Sequence, residues 1–237
     1  MYKFEVIASL SWYFESKNLS LSNALKLRTP LSVENQNDLR LYYSQYFASL
    51  VSAVELLSDK NYPFNKEFVT LLHKNFIFEG AADGEKNYSY IRELRNSVVH
   101  RGHDITSASH LLNDFPVFIA PPLVKNQNGK KQYSAICFYL IEVIDICEKL
   151  IGNILALHIE NYANKLSVLT DRELVEQSQQ FVIDSDVMPD WVKEYALNFI
   201  QSEDFSKIKF DGTARLLVLL RINAIPVDLA SRVFKMD

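Results

Sequence analysis

The stretch from Gln132 to Leu166 constrains the fold more than any other part of this chain. Ile136, Tyr139, Leu140, Val143, Ile144, Cys147, Leu150, Ile151, Ile154, Leu155, His158 and Ile159 recur at the three- and four-residue spacing of one helical face. A face this wide must be covered by other helices. Glu142, Asp145, Glu148 and Lys149 interrupt the run and make it too polar for a lipid-facing span. The constraint is therefore a helical bundle built around a long amphipathic helix, without a membrane partner.

The same periodicity organises the rest. Phe4 to Ser16 reads as an N-terminal helix, followed by polar connections through Pro30 to Asn37. Leu39, Tyr42, Tyr43, Tyr46, Phe47, Leu50, Val51, Val54 and Leu57 predict a second helix from Asp38 to Ser58, with its aromatics in the core. Pro63 opens a third, carrying Phe64, Phe68, Leu71, Leu72 and Phe76 on one stripe, with Gly80 beyond its end. A fourth covers Asn87 to Arg101. Phe115 to Pro122 and the turn Asn126-Gln127-Asn128-Gly129 predict an extended excursion ending in a reversal, because prolines stop a helix and Asn-Gly favours a turn.

From Thr170 the segments shorten. Helices are predicted over Asp171 to Ile183, Asp190 to Gln201, Thr213 to Ile222 and Val227 to Phe234, with a Lys207-Ile208-Lys209-Phe210 patch among them. The expectation is an all-α chain with at most one short extended segment. Its bundle covers residues 1–168, with an extra N-terminal helix, and a small C-terminal helical subdomain covers 169–237.

A net charge of −4 over 237 residues lacks the basic excess of a nucleic-acid coat, so any nucleic-acid contact must be local. Met1-Tyr2-Lys3-Phe4-Glu5 is not a basic segment leading into an apolar one, and a cytoplasmic protein is expected. Cys137 and Cys147, ten residues apart in the long apolar run, fall on nearly opposed faces of a helix and read as reduced core thiols.

The chemistry concentrates in Arg95-Asn96-Ser97-Val98-Val99-His100, followed by Arg101 and Gly102. An arginine presents a fork of donors that matches phosphate oxygens, and a histidine exchanges protons near neutral pH. At about 100° per residue, with Arg95 at zero, Arg92 lies at about 60°, Asn96 at about 100°, Ser89 at about 120°, His100 at about 140° and Glu93 at about 160°. These five share a polar side, while Tyr88, Ile91, Leu94 and Val98 form the core side. Arg95 sits at the edge, with a stem long enough to return its guanidinium toward His100. The same residues also make a good helix C-terminus, with His100 and Arg101 on the dipole's negative end and Gly102 as the left-handed cap.

Arg95 through His100 resembles the Arg-x4-6-His signature of the HEPN superfamily (higher eukaryotes and prokaryotes nucleotide-binding), with a polar Asn directly after the Arg. The resemblance extends from the helix at Asp38 to Leu166 and implies an up-and-down four-helix bundle. It further implies a metal-independent endoribonuclease acting as a homodimer, with RNA received between two motif helices. His100 would assist deprotonation of the ribose 2′-hydroxyl, Arg95 would stabilise charge on the phosphate, and Asn96 would orient one of them. The family also implies a protein partner such as an antitoxin, in a toxin–antitoxin or phage-defence setting. One toxin subgroup carries a Tyr two residues after the His, where this chain has Gly102. Other members are non-catalytic modules for dimerisation or partner binding.

Arg92 and the lysines Lys130 and Lys131, with Lys125 on the same loop, are candidate phosphate contacts. Tyr42 or Tyr46 would border the motif cleft if the bundle packs as in the family, and His73 and Lys74 would add positive charge. His100, His103 and His110 lack a matched carboxylate or thiol set, so no metal site is expected, and no cofactor motif is present.

Overall fold

The computed structural model describes residues 2–168, 170–202 and 212–226. The predicted helix from Val227 to Phe234 and the Lys207 to Phe210 patch lie outside the described residues. Eight α-helices and two small β-hairpins are described: α1 (Lys3–Ala24), α2 (Val33–Ser58), α3 (Asn65–Asn75), α4 (Gly84–Arg101), β1 (Ser109–Leu112), β2 (Phe115–Phe118), β3 (Leu123–Lys125), β4 (Gln132–Ser134), α5 (Leu140–Tyr162), α6 (Asp171–Asp184), α7 (Asp190–Ser202) and α8 (Thr213–Leu220).

The chain is thus mainly α, and two elements depart from expectation. The excursion after α4 is not one extended segment but two antiparallel hairpins, with Ser109 opposite Phe118 and Leu112 opposite Phe115 in the first, and Leu123 opposite Ser134 in the second. Asn113, at φ 57°, and Gly129, at φ 70°, take the left-handed turn positions that Asn and Gly tolerate. The long helix begins at Leu140 rather than Gln132, because Gln132 to Ser134 pair with β3. The Tyr139 amide then caps the helix by donating to Glu142 Oε2 at 2.8 Å. Ile136 and Tyr139 still pack against the core from an irregular segment, which is why they mimic a helical pattern. Cys137 therefore precedes the helix; Cys147 is buried within it, and both thiols are free.

Helix α1 runs to Ala24, longer than expected, and forms the most extensive helix pair with α2. The Ser32 hydroxyl accepts from the Asn35 amide at 3.1 Å and starts α2 earlier than its apolar pattern does. Tyr43, Tyr46 and Phe47 are buried, as their spacing predicts, and Tyr42 is half-buried against them. Helix α5 packs on α3 and α8.

At the centre of the core lies a charged group. Lys17 of α1 donates to Glu148 Oε1 of α5 at 2.5 Å, the Tyr46 hydroxyl donates to the same oxygen at 2.8 Å, and the Ala224 amide donates to Oε2 at 3.0 Å. Burial pushes the Lys17 ammonium below its usual range, against the opposing pull of Glu148.

Residues 212–226 belong to this same core. Leu216, Leu220 and Ile225 are buried in it, and a Cβ on Gly152 would lie 2.0 Å from the Leu220 carbonyl oxygen. The expected boundary after 168 therefore sets apart α6 and α7, which pack on each other, while α8 returns to α1 and α5. Among the described residues no helix is long and apolar enough to cross a membrane.

Candidate functional site

Helix α4 is fixed at both ends by its own sequence. The Asp83 carboxylate accepts from the Lys86 amide at 3.0 Å, and Gly102 closes the helix at φ 67°. Gly84 lets α4 come close to α3, since a Cβ there would sit 2.0 Å from the His73 carbonyl oxygen. The buried Asn87 amide donates to the carbonyls of Phe76 at 3.0 Å and Ala81 at 2.9 Å, locking the α3–α4 connection.

Burial then selects which residues of α4 meet solvent. Tyr88, Ile91, Leu94 and Val98 enter the core as expected. Ser89 and Glu93, expected on the open side, are buried instead. The β3–β4 hairpin packs against α4, and Arg92, Asn96 and Arg101 of the helix itself close over Glu93. Beside Glu85 and Lys86 in the first turn and Arg101 in the last, which are exposed, a strip of Arg95, Val99, Arg92, Asn96 and His100 spans about 140° of the helix. Val99 and His100 are exposed; Arg92, Arg95 and Asn96 are half-buried.

Arg95 does not turn its guanidinium toward His100. It pairs with Glu55 of α2, and its side chain is only 13 % exposed. The sequence reading missed this partner, although Glu55 sits on the outward stripe of α2. The Arg40 guanidinium donates to the Gly102 carbonyl at 3.3 Å, so the two contacts set α2 antiparallel to α4. On α2, which packs against α4, Leu41 is exposed and Ser44, Ala48 and Ser52 are half-buried.

Under the strip, Glu93 gathers three of the helix's polar groups. Arg92 Nε lies 3.6 Å from Oε1, the Asn96 amide donates to Oε2 at 3.4 Å, and Arg101 lies 3.8 Å from Oε2. Arg101 also donates to the Ser97 hydroxyl and, at 3.2 Å, to the Glu93 carbonyl. Asn96 is therefore oriented by Glu93 rather than stacked on His100.

At the C-terminal end of α4 the hairpin leaves a cleft of about 430 Å³, bounded by Ser97, Arg101 and His103 on one side and by Leu123, Lys125 and Gln127 on the other. Lys130 and Lys131 are exposed on the same hairpin turn, held by the Asn128 and Asn126 side chains, which accept from their amides at 3.0 Å. The fold thus brings the basic loop to the end of the motif helix. The cleft residues Arg101 and His103 were not among the predicted contacts; their only signal was position, beside the helix-ending Gly102.

The remaining histidines go elsewhere. His110 of β1 bonds the Tyr139 hydroxyl at 3.1 Å, and His158 is buried against Tyr62. Among the described residues, no three His, Cys, Asp or Glu side chains gather as metal ligands. Tyr46 is committed to Glu148 rather than to the α4 strip. Burial raises the thiol of Cys137 to about 11 and that of Cys147 well above its ordinary value, so neither is a ready nucleophile.

Comparison of the chain with protein-family models, with curated proteins and with solved structures finds no match.

Proposed function

We propose that this chain is a HEPN-like, metal-independent endoribonuclease of the cytoplasm, acting as a homodimer through its α4 strips. The observation that carries the reading is the strip itself: Arg92, Asn96, Val99 and His100 reach solvent along one side of α4, with the mostly buried Arg95 at its edge. A cationic hairpin with Lys130 and Lys131 stands at its end. Arg92, Lys130 and Lys131 bind phosphates of the strand.

In this reading His100 accepts the proton of a ribose 2′-hydroxyl, and the freed oxygen attacks the adjacent phosphorus. The bond to the 5′-oxygen breaks, and that oxygen leaves with a proton. The products are a 2′,3′-cyclic phosphate and a 5′-hydroxyl end. Arg95 neutralises charge on the non-bridging oxygens, and Asn96 holds one reacting group in place. Substrate phosphate must then compete with Glu55 for the Arg95 guanidinium.

That competition supports a second reading, a non-catalytic HEPN-type module in which the Arg95–Glu55 pair braces α2 against α4 and the strip serves dimerisation or an antitoxin-like partner. Incubating the protein with total RNA in EDTA separates the two, with Arg95→Ala, Asn96→Ala and His100→Ala alongside. Cleavage to cyclic-phosphate ends that Arg95→Ala and His100→Ala both abolish supports the enzyme. Equal background from all four proteins leaves the module.

A further inference from the structure

Among the described residues, the α6–α7 hairpin carries large apolar side chains that stand exposed. On α7, Val192 and Ala196 are half-buried and Ile200 is buried, which accounts for one side of the helix. Beside it the helix presents Trp191 at 75 % exposure and Tyr195 at 73 %, spaced four apart and therefore stacked along one stripe. Phe181 on α6 and Val187 in the connection are 72 % and 93 % exposed. Covering the two leading aromatics and their apolar neighbours would bury on the order of 400 Å², an extent at which exposed apolar patches mark interaction sites.

Charge narrows the occupant. Between Thr170 and Ser202 the sequence has seven carboxylates, from Asp171 to Glu194, against two cations, Arg172 and Lys193, a local charge of −5. The rest of the chain is left at +1. Both cations are engaged locally, Arg172 with Glu176 at 2.7 Å and Lys193 with the Ile183 carbonyl at 3.1 Å. Asp190 and Glu194 stand exposed along the edge of the aromatic stripe. A nucleic acid is repelled by this face, and two copies of it repel one another.

We propose that the α6–α7 face is a docking surface for a cationic amphipathic helix of a partner protein, whose apolar side covers Trp191 and Tyr195 and whose lysines or arginines meet Asp190 and Glu194. This is the helix-on-apolar-face mode of recognition, with acidic residues setting specificity. It is independent of the ribonuclease reading, since it uses none of the α4 residues.

The test uses the full chain with Trp12→Phe, which leaves Trp191 as the sole tryptophan. The probe is an amphipathic peptide of about 18 residues, five helical turns, built from Leu and Lys, with a twin that has Glu in place of Lys. The expected result is a blue shift of Trp191 emission and a Kd on the order of 10 µM for the Lys peptide, weakening with salt, and at least about 100-fold weaker binding of the Glu twin. Tyr195→Ala should weaken the Lys peptide about tenfold. Asp190→Lys with Glu194→Lys should do the same while admitting the Glu twin, with the helical circular dichroism of both variants unchanged. Absence of binding at 1 mM peptide, equal binding of the twins, or the same emission shift from neutral phosphatidylcholine vesicles overturns the proposal. So does self-association that Trp191→Ala relieves, which would assign the face to a second copy.

Discussion

Replacing Glu148 by Gln tests whether the charged group in the core holds the bundle together. The substitution keeps the shape of the side chain but leaves one acceptor oxygen where the carboxylate had two, and it removes the charge bonded to Lys17, which is 1 % exposed. Breaking a buried pair by removing one partner costs about 3–5 kcal/mol, because the other charge stays behind without solvent. In a domain of this size that lowers Tm by about 6–20 °C. The loss should shrink as pH rises, since Lys17 is already pushed toward discharge by burial and a neutral amine needs no counterion. Urea denaturation followed by circular dichroism measures it at pH 7 and pH 9, with Lys17→Met and the double variant completing the cycle. The double variant should recover most of the loss, because it leaves no unpaired charge in the core and the Gln amide keeps an acceptor for one of its neighbours. A single variant as stable as wild type, or a double variant as damaged as the single, would refute the reasoning.

Burial holds the His158 imidazole at about 4 in the folded state, below the ordinary value near 6.5, so the unfolded chain binds its proton first as pH falls. Stability from this group is complete above about pH 6.5 and declines by about 3 kcal/mol toward pH 4; the difference in unfolding free energy between wild type and His158→Phe should change by that amount over the window, and a constant difference would count against it. Gly152→Ala drives a methyl into the Leu220 carbonyl, so α8 must shift from α5; we expect a loss of about 2 kcal/mol or more, and an unchanged urea midpoint would contradict the close approach. Glu55→Gln removes a partly exposed pair worth about 1 kcal/mol or less and frees Arg95; if Arg95 serves the phosphate, RNA cleavage stays at or above the wild-type rate, and a tenfold drop would show that the pair positions it instead.

The helices were legible because their apolar spacing is strong: α2, α3, α4 and the body of α5 sit where the period predicts them. The failures have local causes. Ile136 and Tyr139 keep helical spacing although the backbone there returns from a hairpin, so pattern alone overran the start of α5. Within α4 the wheel separated core from non-core correctly at Ile91, Leu94 and Val98. It failed at Ser89 and Glu93, polar residues buried in the folded chain, because the neighbours packed against α4 lie outside any single-helix argument. Arg95 was legible as a boundary residue; its commitment to Glu55 depends on the antiparallel packing of α2, which the periodicity of either helix does not encode.

The β3–β4 hairpin also has a bearing on how such a surface can change over generations. Its strand β3 anchors in the core through Val124, while its turn is exposed, and exposed turns accept changes of length and sequence at little cost to stability. Lengthening it, or exchanging Lys125, Lys130 and Lys131, would redraw what stands at the end of α4 while the helix, its caps and its buried face stay as they are. The turn of the hairpin is thus where a new specificity can be tried without rebuilding the bundle.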